Sequence, residues 1–121
     1  MNTVLLVEDS LTQSELITKC LQQAGLSVVL ARSGEEAQEK LHQQKPDLIV
    51  LDVILPGQSG FELCREIKTN PTTDSIPVIM CSTKGTNADK IWGSMLGADA
   101  YLSKPVDEQE LLRTVQQLMR G

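Results

Sequence analysis

Short apolar runs alternate with amphipathic stretches five times along this chain, and that alternation restricts the fold more than any other feature. Thr3–Val7, Val28–Ala31, Leu48–Leu51, Val78–Cys81 and Tyr101–Leu102 read as strands. The first, third and fourth are nearly continuous runs of Val, Leu, Ile and Met, as expected for strands covered on both faces. Helix patterns lie between them. Ser10 with Gln13 forms a capping-box pair ahead of Leu16, Ile17, Cys20, Leu21 and Ala24, and Gly25 is a natural stop. Ser33 with Glu36 opens a second helix that carries Ala37 and Leu41 and ends before Pro46. A third is expected from Gly60 to Lys68, with Phe61, Cys64 and Ile67 facing inward, and a fourth from Asn87 to Leu96, ending at Gly97. The fifth follows Pro105, with Asp107 as N-cap and Leu111, Leu112, Val115, Leu118 and Met119 in helical period. Such alternation implies parallel strands joined by right-handed crossovers, hence an open α/β sheet with helices on both faces.

Length and composition narrow the possibilities further. The 121 residues suffice for one domain, expected to span 1–121, and for one core. With a single Phe, Trp and Tyr, that core must be aliphatic. A net charge of −5, without a basic arm, argues against nucleic acid as a direct partner. No apolar run approaches the ~20 residues of a membrane span, so no membrane insertion is expected. Met1 leads almost directly into a strand, without a secretory signal pattern. Cys20, Cys64 and Cys81 show no CxxC or zinc-type spacing and fall among apolar neighbours. Buried free thiols in a reducing cytoplasm are the expected state. Thr69–Ile76 is the longest irregular piece and reads as a polar surface loop.

In an open parallel sheet, ligands bind beyond the carboxyl ends of the strands. There the chain places Glu8–Asp9, Asp52, Ser82–Thr83 and Ser103–Lys104–Pro105. Singly, each has a plain structural reading: a turn or N-cap aspartate, an acidic helix entry, a capping hydroxyl, a solvated lysine. Together at one edge they point to chemistry. Two carboxylates 4 Å apart at an effective dielectric of 20 repel by about 4 kcal/mol, so either pKa values rise or a hard cation sits among them. Oxygen ligands alone, with water and phosphate completing the shell, suit Mg²⁺. Zinc does not fit, because the lone His42 lies in a helix far from this edge.

These residues and their motifs resemble the receiver domains of response regulators in bacterial two-component signalling. The motifs are VLLVEDS at 4–10, LIVLDVILPGQSGFEL at 48–63, PVIMCST at 77–83 and GADAYLSKP at 97–105, and the resemblance covers the whole chain. It implies a flavodoxin-like five-stranded sheet in order 2-1-3-4-5. It implies that Asp52 is the phosphoryl acceptor, attacking a phosphohistidine on a sensor histidine kinase or phosphotransfer protein. Glu8, Asp9 and Asp52 hold Mg²⁺ (Mn²⁺ substituting), and the backbone carbonyl of Ile54 completes the protein ligands. Lys104 pairs with the acceptor carboxylate and then with a phosphoryl oxygen. Ser82 donates its hydroxyl to another, and the Lys104–Pro105 bond is cis. Ser82 and Tyr101 form the switch, although a half-buried strand aromatic is an equal reading of Tyr101 from the residue alone. The face made by the fourth helix, fifth strand and fifth helix is the implied partner surface; Trp92 either belongs to it or packs against the sheet. Glu8 stands where Asp is more frequent, and Ser82 where Thr is also common. Ile54 and Lys84 flank the path of hydrolytic water and are expected to tune phosphoryl lifetime.

Function is a further step, because one fold hosts many chemistries. The leading expectation is a stand-alone, cytoplasmic signalling receiver rather than a metabolic enzyme, with self-catalysed phosphoryl transfer and autodephosphorylation. It is similar to the chemotaxis CheY type. The EDSLTQ segment at 8–13 points toward its type IV pilus PilG/PilH relatives, and so toward control of an output protein in motility. A phosphate sink or relay intermediate has the same chemistry without a dedicated target. A flavodoxin-like redox carrier lacks its phosphate loop and aromatics here, and a Mg²⁺-dependent aspartyl phosphatase would need a second acid where Ile54 stands.

Overall fold

A computed structural model describes residues 2–83 and 86–119, so Lys84 lies outside the described residues. Five strands, β1 (Thr3–Val7), β2 (Ser27–Ala31), β3 (Leu48–Asp52), β4 (Val78–Ser82) and β5 (Ala100–Ser103), form one parallel sheet in the order β2-β1-β3-β4-β5. Helices α1 (Leu11–Gln23), α2 (Gly34–Gln43), α3 (Gly60–Thr69), α4 (Asn87–Met95) and α5 (Glu108–Met119) connect or follow them. Most strands run one residue further than the apolar runs suggested, because Asp52, Ser82 and Ser103 still pair in the ladder.

Strand alternation divides the aliphatic core in two. Val4, Leu6, Leu48, Val50, Ile79 and Cys81 pack against Ile17, Leu21, Leu111 and Val115 of α1 and α5. Leu5, Val7, Ile49, Leu51, Val78 and Met80 pack against α2 and α3 through Ala37, Leu41, Leu63, Cys64 and Ile67. Each fully buried aliphatic side chain contributes about 1.5–3 kcal/mol. The innermost residue at the start of α3 is Leu63, with Phe61 only half-buried. Cys64 and Ile67 face inward as expected and Phe61 packs against the same core, with Leu63 widening the buried face.

The helix starts follow from local chemistry. Ser10, Ser33, Ser59 and Thr86 each accept the backbone N–H three residues on, satisfying a donor left free at the helix start. Asp107 does the same for Gln109 and Glu110 at the start of α5. Gly25, at φ +87°, ends α1. Thr69–Ile76 departs from a plain surface loop. Thr73 is buried and donates its hydroxyl to the Ile67 carbonyl at 2.7 Å, and Ile76 joins the core. Lys68 ties this turn to the sheet, donating to the Ile76 carbonyl at 2.8 Å and to Asp99 Oδ2 at 2.9 Å.

Gly60 is what lets α3 start where it does. Its N–H donates to the Val53 carbonyl at 2.7 Å, and a Cβ there would lie 2.0 Å from the Asp52 carbonyl oxygen. Gly60→Ala therefore forces the helix off the end of β3. We expect a loss of about 3 kcal/mol, the upper end for overpacking, read as a lower urea midpoint. A midpoint equal to wild type contradicts this contact.

Candidate functional site

Parallel strands all point their carboxyl ends to one edge, and the register decides which residues meet there. Val7 pairs with Leu51, so Glu8 follows beside Asp52, and Asp52 itself stands opposite Cys81. Alternation then sorts the side chains. Glu8 and Asp52 continue the series Leu6 and Val50, on the α1/α5 side, whereas Ser82 continues Met80, on the side where Tyr101 packs. On the first side opens a cleft of about 440 Å³ lined by Glu8, Asp9, Asp52, Ile54 and Lys104, with Gln13 and Thr83 completing the wall.

Lys104 is the centre of this cleft. Its Nζ donates to Glu8 Oε1 at 2.5 Å and to Asp52 Oδ2 at 3.2 Å. Its backbone N–H donates to the Ser82 carbonyl at 2.9 Å, and the following bond to Pro105 is cis. Glu8 is 2% exposed, and its second oxygen accepts the Ser10 N–H at 3.1 Å. Asp52, also buried, accepts the Ile54 N–H on Oδ1 at 3.3 Å. Burial lifts the Glu8 carboxyl above its usual 4.5; the hydrogen bonds from Lys104 and Ser10 oppose this, and the Asp52 charge adds to it. For Lys104 burial acts downward, but the hydrogen bond to Glu8 and the charges of Asp52 and Glu8 outweigh it and hold the ammonium above 10.5.

Asp9 is exposed at the rim. Among the described residues, no three His, Cys, Asp or Glu side chains converge as a ready metal cluster. Lys104 bridges Glu8 and Asp52. The residues that could hold a cation here are Glu8, Asp9 and Asp52 through their carboxylates and Ile54 through its backbone carbonyl, with Glu8 the one already tied to Lys104 and Ser10. An oxygen-only, partly hydrated set fits Mg²⁺.

The adjacent hydroxyls of Ser82 and Thr83 are divided between the two sides. Ser82 is fully buried, and Thr83 is exposed and lines the cleft. Burial raises the Tyr101 phenol above its usual value, and a hydrogen bond with the Ser82 side chain draws it back. The ring lies against α4, where a Cβ at Gly93 would come within 3.1 Å of Tyr101 Cδ2. Trp92 faces outward, exposed together with Ile91 and Met95, so α4 carries an open apolar strip. Ile54 is exposed at the lip of the cleft. The three cysteines are buried and free, and burial pushes Cys64 up to about 11 and Cys81 to about 12, which keeps both from acting as thiolate nucleophiles near neutral pH. Thr83 lines the cleft, as its place at the end of the fourth strand predicts, whereas Gln13 is not among the edge residues read from the sequence; its spacing, four residues after Asp9, is the one signal it offers.

The family model of the response regulator receiver domain matches residues 4–116. Protein PilH of Pseudomonas aeruginosa is 38% identical over 121 residues, covering 100% of both chains. The phosphate regulon transcriptional regulatory protein PhoB of the same organism is 39% identical over 98% of this chain but only 52% of its own length. Among solved structures, the chemotaxis protein CheY4 of Vibrio cholerae superposes with a TM-score of 0.91 at 32% identity, over 98% of each chain. The receiver domain of the sensor histidine kinase PA1611 of Pseudomonas aeruginosa, solved with a magnesium ion in its active site cleft, superposes with a TM-score of 0.91 at 28% identity, over 99% of this chain and 98% of its own.

The shared ammonium makes a pH-dependent prediction. Lys104→Met leaves two buried carboxylates facing one another, a loss of about 3 kcal/mol at neutral pH, and it raises Glu8 further. A carboxyl whose folded pKa exceeds its unfolded 4.5 gives its full stabilising share below 4.5 and loses it as pH rises through the folded value. The deficit of the variant relative to wild type therefore narrows as pH falls from 7 toward 5. Urea unfolding of both proteins checks this; a deficit independent of pH contradicts the coupling.

Proposed function

Because this chain belongs to the response regulator receiver domain family, we propose that Asp52 accepts a phosphoryl group from a phosphohistidine and that the α4–β5–α5 face carries the resulting signal to a partner protein. The observation that carries this reading is the Asp52 carboxylate, buried at the end of β3 and held against Lys104 on the wall of an acidic open cleft. Transfer asks the protein chiefly for positioning and charge neutralisation. A carboxylate oxygen of Asp52 attacks phosphorus, the bond to the histidine nitrogen breaks, and an acyl phosphate forms. Lys104, already on Asp52 Oδ2, meets the incoming charge without moving far. Glu8 holds that ammonium in place from the other side.

Asp9, Asp52 and the Ile54 carbonyl, with Glu8 beside them, would hold a divalent cation, which would supply further neutralisation at the phosphoryl oxygens; Mg²⁺ suits the oxygen donors, with Mn²⁺ as a substitute. Magnesium in the cleft of the PA1611 receiver domain supports this. Ser82 turns its hydroxyl toward the phosphoryl group and, through its bond with Tyr101, alters the packing of that ring against α4. The perturbation is large, because phosphorylation adds about two negative charges. Ile54, exposed at the lip, governs access of hydrolytic water and so the lifetime of the signal; Lys84, two residues beyond Ser82 in the sequence, shares this role.

The exposed strip of Ile91, Trp92 and Met95 favours a dedicated protein target over a phosphate sink or relay. The full-length likeness to PilH, together with the EDSLTQ segment, supports a place in pilus-based motility or chemotaxis. The donor is a sensor histidine kinase or phosphotransfer protein.

Incubation with Mg²⁺ and a small phosphodonor is expected to add one base-labile phosphate, detected by mass spectrometry. Asp52→Asn abolishes the addition, and so does chelation of the metal. Labelling that survives either treatment sinks this mechanism.

A further inference from the structure

Gln13 belongs, by its sequence, to a capping box at the start of α1, and the structure builds only half of that motif. Ser10 Oγ accepts the Gln13 N–H at 3.3 Å. In a full capping box the residue at this position returns its side chain to the N-cap N–H. Here the Ser10 N–H donates instead to Glu8 Oε2 at 3.1 Å. The Gln13 carboxamide is displaced from its usual task. It makes no hydrogen bond among the described residues, and Gln13 is one of the residues lining the cleft with Glu8, Asp9 and Asp52.

The cation requirement of the cleft gives this group a use. Mg²⁺ demands near-octahedral coordination and keeps several waters. The chain offers Asp9, Asp52 and the Ile54 carbonyl, while Glu8 is held by Lys104 and Ser10. Water must fill the remaining positions beside any phosphoryl oxygen. Each cation-bound water donates two hydrogens, and each needs an acceptor. Asp9 and Asp52 spend lone pairs on the ion itself. The carboxamide oxygen of Gln13, a neutral acceptor on α1, receives no hydrogen bond among the described residues.

Building on the Mg²⁺ reading above, we propose that the Gln13 carboxamide accepts a hydrogen bond from a cation-bound water and fixes the hydration shell on the α1 wall of the cleft. It is a positioning residue, not a ligand. A neutral group serves here because another carboxylate would add charge to a cleft that must also admit a phosphoryl group. Partners of this outer kind orient the inner ligands, and their loss commonly weakens metal binding by about 10–100-fold.

Isothermal titration of the metal-free chain with Mg²⁺ alone tests the assignment. Gln13→Met keeps the length of the side chain and removes the acceptor; affinity is expected to fall about tenfold, the lower end of that range. Gln13→Glu restores an acceptor and binds at least as tightly as wild type. Thermal unfolding without Mg²⁺ stays the same in Gln13→Met, because the cap uses only the backbone N–H of this residue. Equal affinity in wild type and Gln13→Met overturns the role of Gln13 and leaves the phosphoacceptor reading standing. Weak binding that Gln13→Glu fails to restore also overturns it, since shape rather than an acceptor would then be what matters. A wild-type chain that binds no Mg²⁺ overturns both.

Discussion

One ammonium between two buried carboxylates organises this molecule. Lys104 reaches Glu8 and Asp52 together, across sequence separations of 96 and 52 residues. Without it, the parallel register that sets Glu8 beside Asp52 would hold two like charges together in a poorly solvated place. With it, the pair remains negative overall, and that residual charge suits the site to a divalent cation. Among the described residues no three acidic, His or Cys side chains converge as a ready metal cluster, and Lys104 holds the position between Glu8 and Asp52.

Strand periodicity separates the acidic cleft from the Ser82–Tyr101 side of the sheet. Glu8 and Asp52, two residues on from Leu6 and Val50, open on the cleft, and Ser82, two on from Met80, lies on the side where Tyr101 packs. Ser82 and Tyr101 therefore lie behind the cleft rather than in it, joined by a hydrogen bond. Ser82 is one strand away from Asp52, and the Tyr101 ring rests on α4. Gly93 supplies the space for the ring, and Trp92, the next residue back, shows its face to solvent.

Much of this was legible before any coordinates. Apolar runs that stop at Glu8, Asp52, Ser82 and Ser103 mark both the strands and the edge where they end, since a buried parallel strand has no other place for a charge or hydroxyl. Other features depend on contacts that pattern does not encode. The close approach of Gly60 to the Asp52 carbonyl is a backbone contact invisible in hydropathy, and so is the burial of Leu63 beside the expected Cys64 and Ile67. Thr73 looked like loop surface because a buried hydroxyl and an exposed one read alike; only its bond to Ile67 sets it inside. Gln13 was assigned to the cap because its spacing fits, and Glu8 took the place its side chain would have filled. The joint hold of Lys104 on Glu8 and Asp52 likewise depends on three strand ends meeting in space.

The central claim is that Asp52, and no other carboxylate at this edge, carries the phosphoryl group. Borohydride reduces an aspartyl phosphate to homoserine and leaves free aspartate untouched, so peptide mapping after phosphodonor, Mg²⁺ and borohydride reads the site directly. The account predicts homoserine in place of Asp52 alone. Homoserine in place of Asp9, or an unmodified Asp52 in a chain that has taken up phosphate, would contradict it.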